Sequence, residues 1–418
     1  MEKDASEGKL TPQIMTCITD SARGMGLHGH IQLDIKLGTS DGDNYLGVVY
    51  SVKVTGQSGV DGDGDSREAR FVLKMMHPDP VARKSLQSVN LFANEIKLYS
   101  RIIPAFRDFQ IRRRGREAED LLAFVPRCFA AEGDGASDFI LMEDLKASGF
   151  LMGDRRKGMD RDESTLAMRA LGRLHAFSYA MKEEEPDAFG ALSEGIVHAF
   201  FVPEKREMYH ESFQKIGHTA LEAVRIHSPG SAKYLERWIS KGYVDGLTEI
   251  CQMKEPLSVI NHGDVWMNNV LFRGTPAREI MLLDYQLIQY HSPAIDVLYV
   301  LYSSLKKSIR DEIYEDLLME YHKALSSTLR ELGVRDDILS METLKDHFKK
   351  YAGYGLGLCL FLIPIFYGEV TEEIVNVGHG DSVSKMACNH SVYMKSEEIQ
   401  LMIADLVDEF VQRGYFEE

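Results

Sequence analysis

Cysteine is scarce in this 418-residue chain. Its five cysteines (Cys17, Cys128, Cys251, Cys359 and Cys388) are scattered, odd in number and form no C-x-x-C pair. Such usage argues against a disulfide framework and for a reducing compartment, so a cytoplasmic location is expected. Positive charge is also in deficit: 48 Lys and Arg against 64 Asp and Glu leave a net charge of −16. Nucleic acid and anionic membrane surfaces are polyanions, so neither is an expected partner. Long apolar runs are missing as well. The longest, LGLCLFLIPIF at 356–366, is too short to span a bilayer and contains a proline. It reads as a buried core helix, and no membrane insertion is expected. The opening MEKDASEGKL is charged and lacks the apolar core of a secretory leader.

What is present fits a globular protein, with 44% hydrophobic and 27% charged residues. The length exceeds one ordinary core, so two lobes are expected. Alternating stretches at 30–37, 45–54 and 69–76 predict three strands, 88–103 has helical spacing, and VPRCFAA and DFILMEDL predict two further strands. A small antiparallel sheet with one helix packed on it follows. The basic IRRRGRE segment before the last two strands reads as exposed. From about residue 160 the pattern turns to long helices, at 164–181, 231–253 and 308–332, interrupted by a β-like island at 257–288. The expected division is a sheet-rich N-lobe over 1–144 and a mainly helical C-lobe over 145–418, an α+β architecture.

The island holds the residues with the clearest chemistry. A short apolar run ends at His262-Gly263-Asp264, then come NVLF, a turn, and EIMLLD ending at Asp284. If NVLF and EIMLLD pair as a hairpin, Asn269 lies near Asp284, with Asp264 approaching from the preceding loop. Two carboxylates and an amide then converge as oxygen-seeking Mg2+ requires. Asp264 and Asn269 also have the D-x-x-x-x-N spacing of kinase catalytic loops. A turn-capping role would explain any one of them alone; the ordered set of three points to phosphoryl transfer. His379-Gly380-Asp381 repeats the tripeptide, but Met386 stands where Asn would be needed, and it reads as a loop.

In the N-terminal part, Glu95 falls in a helical stripe with Leu91, Leu98 and Ile102, where an unpaired carboxylate is costly. Lys74 in the strand VLKMM is its natural partner, as in kinases that pair a strand lysine with a helix glutamate. The other reading has Lys74 on a wet sheet face and Glu95 half exposed. Between the first two strands, GTSDGDNYLG brings Gly38, Ser40, Gly42 and Asn44, small residues that allow backbone N–H groups to approach phosphate. An ordinary hairpin turn has the same composition, and Asp41 and Asp43 would repel phosphate unless they point outward. DGDGDS at 61–66 departs from a calcium loop at Ser66 and Val72, and His175 on LGRLHAFSYA reads as a buried structural histidine.

With these residues in hand, the chain resembles the ecdysteroid-kinase-like family, relatives of the choline and aminoglycoside phosphotransferases. The resemblance rests on HGDVWMNNVLF (262–272), LLDYQ (282–286) and SPAIDVLY (292–299). It extends through GDNY (42–45), VLKMM (72–76), NEIKLY (94–99) and LMEDL (141–145). It implies the two-lobed protein-kinase-like fold and an ATP- and Mg2+-dependent kinase of a small-molecule alcohol. Asp264 would be the catalytic base, and Asn269 and Asp284 would bind Mg2+. Lys74 and Glu95 would hold the ATP phosphates, with Gly38, Ser40, Gly42 and Asn44 in the loop over them. Met142, Glu143 and Leu145 would meet the adenine. Pro293 and Asp296 would brace the catalytic loop. The acceptor implied is an ecdysteroid or other steroid-like or xenobiotic alcohol. AFFVP (199–203) and 358–368 are candidate lining for it, with ordinary core packing as the other reading of both. The rivals are a choline- or aminoglycoside-type kinase of a cationic substrate and a ligand-binding pseudokinase without turnover. Tyr285-Gln286 after Asp284 and the absence of A-P-E set the chain apart from protein kinases.

Overall fold

The computed structural model describes residues 10–38, 47–58, 64–77, 88–135, 137–196, 198, 200–253, 255–368 and 390–416. The chain forms two compact units, Met1–Ala105 with Val125–Leu151, and Phe106–Phe124 with Met152–Glu418.

The first unit is built on a five-stranded antiparallel sheet of β1 (His28–Leu37), β2 (Gly47–Gln57), β3 (Ser66–Met76), β4 (Cys128–Glu132) and β5 (Phe139–Glu143). The spatial order is β1-β2-β3-β5-β4. The period of two puts Tyr50, Val52, Val54, Phe71, Leu73 and Leu141 into one core. That core also takes Ile14, Ile18 and Ala22 from helix α1 (Pro12–Gly24), an element absent from the sequence reading. Its signals are a Thr11 N-cap accepting from the Ile14 amide at 3.3 Å, Pro12 in the first turn, and apolar residues four apart. Helix α2 (Ser88–Lys97) runs through a π turn at Leu98–Ile102 into α3 (Ile103–Arg114). Pro104 cannot donate to an α-helical ladder, and the wider turn just before it accommodates that loss. The basic residues 112–114 therefore close a helix, where Arg112 pairs with Glu185 and Arg113 with Glu184.

The second unit is mainly helical. Helix α4 (Arg161–Glu184) opens on a capping box between Asp160 and Glu163 and packs on α10 (Lys307–Glu331). A side chain at Gly172 would come within 2.4 Å of the Tyr321 carbonyl, so glycine sets the closeness of that pair. The stretch 231–253 is two helices, not one. Gly242, at φ +100°, breaks it between α7 (Pro229–Ser240) and α8 (Tyr243–Gln252). Helices α5 (Pro186–Ser193) and α6 (Arg206–His227) precede these, and α12 (Glu397–Gln412) closes the unit. Helix α11 (Met341–Tyr367) is long and apolar enough by length and composition to cross a membrane, and most of its apolar window is buried within the fold.

Short antiparallel pairings lie among the helices. Strand β6 (Val259–Asn261) pairs with β9 (Gln289–His291). Strands β7 (Val270–Arg273) and β8 (Glu279–Leu282) form the hairpin that the sequence suggested, with Val270 opposite Leu282. Helix α9 (Ala294–Ser303) follows and is buried along all ten residues. An antiparallel sheet unit followed by a helical unit with a β island is the α+β, kinase-like architecture expected from the sequence.

Candidate active site

The HGD turn leaves β6 with no freedom to spare. Gly263 has φ +83°, and a Cβ there would lie 1.9 Å from the Leu287 carbonyl oxygen. Only glycine fits such a turn. The two flanking amides are held by one buried carboxylate: His262 N donates to Asp296 Oδ2 at 2.7 Å, and Gly263 N to Asp296 Oδ1 at 2.8 Å. His175 completes the support, with Nε2 3.2 Å from Asp296 Oδ2 and Nδ1 2.9 Å from the Tyr321 hydroxyl. His175 is fully buried and structural, in keeping with its sequence reading. Burial pushes the His262 imidazole below its ordinary value, and its Nδ1 accepts from the Asp264 amide at 3.3 Å.

Asp264 then meets two donors. Asn269 Nδ2 donates to Asp264 Oδ2 at 2.7 Å and to the Asp264 carbonyl at 3.0 Å, across the short turn Met267–Asn269. The Tyr299 hydroxyl donates to Asp264 Oδ1 at 2.5 Å. Tyr299 was not singled out from sequence, although SPAIDVLY contains it one helical turn after Asp296. Burial pushes the Asp264 carboxyl up to about 7, opposed by the Tyr299 hydrogen bond and aided by the charge of Asp284. The phenol of Tyr299 is itself driven well above its ordinary value by burial, which keeps it a donor.

Asp284 ends the hairpin's second strand and is the sole non-glycine residue with positive φ among the described residues, at 63°. The Leu283 amide donates to the Asn269 carbonyl at 2.8 Å, tying this turn to the start of the first strand. Both Asn269 side-chain bonds use the amide nitrogen, so its Oδ1 faces no donor among them. An amide oxygen beside a carboxylate suits a hard cation such as Mg2+, which is bound by one or two side chains together with phosphate oxygens. No cluster of three or more His, Cys, Asp or Glu suited to a metal occurs among the described residues.

The first unit places Lys74 and Glu95 in contact. Lys74 Nζ lies 2.7 Å from Glu95 Oε2, both side chains nearly inaccessible at 9% and 1%. Alternation along β3 turns Lys74 away from the core that receives Leu73. Gly38 closes β1, donating to the Val49 carbonyl at 2.8 Å, and a Cβ there would sit 3.2 Å from that oxygen. Ser40, Gly42 and Asn44, with Asp41 and Asp43, lie outside the described residues, as do His379, Gly380, Asp381 and Met386. Met142 sits on β5 opposite Val72 and Cys128. Glu143 is used structurally: its Oε1 accepts from the Arg127 amide at 2.7 Å. The Leu145 carbonyl accepts from Ser148 and Phe150 in a turn.

Near the HGD turn, Trp266 stacks on Phe366 with centroids 3.7 Å apart and planes 8° from parallel. Arg155 pins that end of α11 by donating to the carbonyls of Ile365, Phe366 and Gly368. Phe201, from the other apolar stretch, packs on Phe213 in the core.

Among solved structures, the chain is similar to an ethanolamine kinase of Plasmodium vivax, at 11% identity and a TM-score of 0.39, covering 88% of this chain and 83% of that one. It is also similar to an aminoglycoside phosphotransferase of Streptomyces rimosus, at 14% identity and a TM-score of 0.32, covering 84% and 99%. An aminoglycoside-3'-phosphotransferase of type VIII matches at 16% identity and a TM-score of 0.33, covering 82% and 99%. No curated protein matches the chain. Residues 41–334, well over half the chain, match the model of the ecdysteroid kinase-like family. The chain belongs to that family and is a phosphotransferase acting on small-molecule hydroxyl groups.

Proposed function

We propose that this protein transfers the γ-phosphoryl group of ATP, in a magnesium-dependent reaction, to a hydroxyl of an apolar acceptor such as an ecdysteroid or another steroid-like or xenobiotic alcohol. The observation that carries the reading is the Asp264 carboxylate, held by Asn269 on one oxygen and Tyr299 on the other. Asp264 orients the acceptor hydroxyl and takes its proton as the oxygen bonds to the γ-phosphorus. The bond from that phosphorus to the β–γ bridging oxygen breaks, and ADP leaves. Burial that lifts this carboxyl toward neutrality makes it a better proton acceptor than an ordinary aspartate.

Asn269 and Asp284 would hold the magnesium ion, which when bound would offset phosphate charge. Lys74, fixed by Glu95, contacts the phosphates. Backbone groups of Met142, Glu143 and Leu145 meet the adenine; with the Leu145 carbonyl engaged in a turn, that residue offers its amide. The stacked Trp266–Phe366 pair, two residues beyond the base, offers an apolar surface to the acceptor. Four free cysteines among the described residues suit the reducing cytoplasm.

The test is phosphate transfer from Mg-ATP to a panel of ecdysteroids, other hydroxylated steroids, plant phenolics, choline and aminoglycosides, run beside Asp264→Asn. Transfer to the steroid or phenolic class, reduced at least about 100-fold in the variant, is expected. Transfer to choline or aminoglycosides alone would replace the apolar acceptor with a cationic one. Binding of Mg-ATP with no transfer and no ADP release would leave a ligand-binding module.

A further inference from the structure

Taking Asp264 as the base, as proposed above, we infer that Tyr299 is a positioning residue of the reaction, whose buried hydroxyl fixes the rotation of the Asp264 carboxylate. An aspartate carboxylate turns broadly about its last side-chain bond unless both oxygens are held. Here each oxygen has its own donor from a different element. Asn269, in the turn before β7, bonds Oδ2 at 2.7 Å, and Tyr299, on α9, bonds Oδ1 at 2.5 Å. With Asn269 alone, the carboxylate would still swing about that single contact.

The source of the second donor matters. Asp296 and Tyr299 are three residues apart, on one face of α9. Asp296 grips the backbone amides of His262 and Gly263, and Tyr299 grips the side chain of the next residue. One turn of a fully buried helix therefore sets both the path of the loop and the plane of its carboxylate. Tyr299 is 2% exposed, so its hydroxyl has no solvent alternative to this bond. A hydroxyl donating to a carboxylate is among the stronger hydrogen bonds that a neutral donor makes. Each carboxylate oxygen carries two lone pairs, so a bond to Oδ1 orients the base without consuming its capacity to accept a proton. Nothing in this role requires Tyr299 to touch the acceptor.

The experiment uses the full chain as wild type, Asp264→Asn, Tyr299→Phe and Tyr299→Leu. ADP release from Mg-ATP is measured with water as the acceptor and again with an ecdysteroid, alongside KM for ATP and the melting temperature. Phe keeps the ring and loses only the hydroxyl. Tyr299→Phe is expected to lower kcat by about 10- to 100-fold, as for a reacting group that loses its alignment. KM for ATP should stay within about twofold and the melting temperature within a few degrees. Tyr299→Leu should lose stability as well, which separates ring packing from the hydroxyl. Wild-type kcat in Tyr299→Phe overturns the inference while leaving Asp264 as the base. A parallel fall in kcat, ATP affinity and melting temperature overturns it in favour of a purely structural tyrosine. Full turnover in Asp264→Asn, or a wild-type protein that binds Mg-ATP and releases no ADP, overturns the base reading and this inference with it.

Discussion

Lys74 shows what a buried charge demands of its surroundings. Its ammonium and the Glu95 carboxylate are withdrawn from water together, at 2.7 Å. Pairs of this kind add little net stability, but removing one partner strands the other. Lys74→Met should therefore cost about 3 kcal/mol or more of unfolding free energy. The double variant Lys74→Met/Glu95→Leu should recover most of it, since an apolar pair of similar volume tolerates the same site. If the lysine holds ATP phosphates, the double variant will regain stability in urea titration without regaining Mg-ATP affinity. Recovery of both would assign the pair to the fold alone. Glu95 was legible from sequence because a carboxylate on an apolar helical stripe needs a cation, and Lys74 in the strand VLKMM was its natural partner. Tyr299 was not, because nothing in a buried apolar helix states which residue either of its two phenols, Tyr299 and Tyr302, will reach.

Among the elements, α1 carries a consequence for the whole sheet. Ile14, Ile18 and Ala22 are fully buried against the face formed by Tyr50, Val52, Val54, Phe71 and Leu73. The opposite side of β3 presents Lys74, so the helix backs the strand that positions the buried cation. Truncating Ile18 to Ala should cost about 2–5 kcal/mol, read as a shift of the urea midpoint. A loss below about 0.5 kcal/mol would mean that α1 is a loosely held appendage. Elsewhere, element boundaries turned on single residues. Gly242 divided an apparent helix in two, and a π turn before Pro104 let the helix run on to Arg114, beyond the 88–103 spacing. Local spacing identifies a helical face well, but whether a break costs more than the packing it permits is a property of the neighbours.

For the molecule as a whole, burial sets the acid limit. His198 and His390 are pushed down to about 4, and His262, His291 and His347 are also lowered, each chiefly by burial. A histidine whose folded value is depressed stays neutral in the native state while the unfolded chain takes up a proton. Its contribution is fully present above the ordinary value of 6.5 and is lost as the pH falls from there toward 4. Asp264, raised to about 7, and Glu163 and Asp405, also raised chiefly by burial, act in the opposite sense and gain stability on acidification. One extra proton bound by the unfolded chain is worth about 1.4 kcal/mol per pH unit. With five histidines set against three carboxyls, the melting temperature should fall by a few degrees between pH 7.5 and 5. His390→Gln should flatten that slope. A melting temperature level or rising over the same interval would contradict this account.

The sequence by itself determined the features that depend on near neighbours. Alternation marked the strands, a five-residue interval set Asn269 against Asp264, and a short turn brought Asp284 back toward Asn269. Each of these follows from backbone geometry over a few residues, which composition and spacing encode directly. Only the tertiary structure decided what meets across long stretches of chain. Tyr299 reaches Asp264 over a separation of 35 residues, Phe366 stacks on Trp266, and His175 stands behind Asp296 over 121. Those contacts exist because helices approach to particular distances, as Gly172 permits against Tyr321, and that closeness is a sum over many packed surfaces.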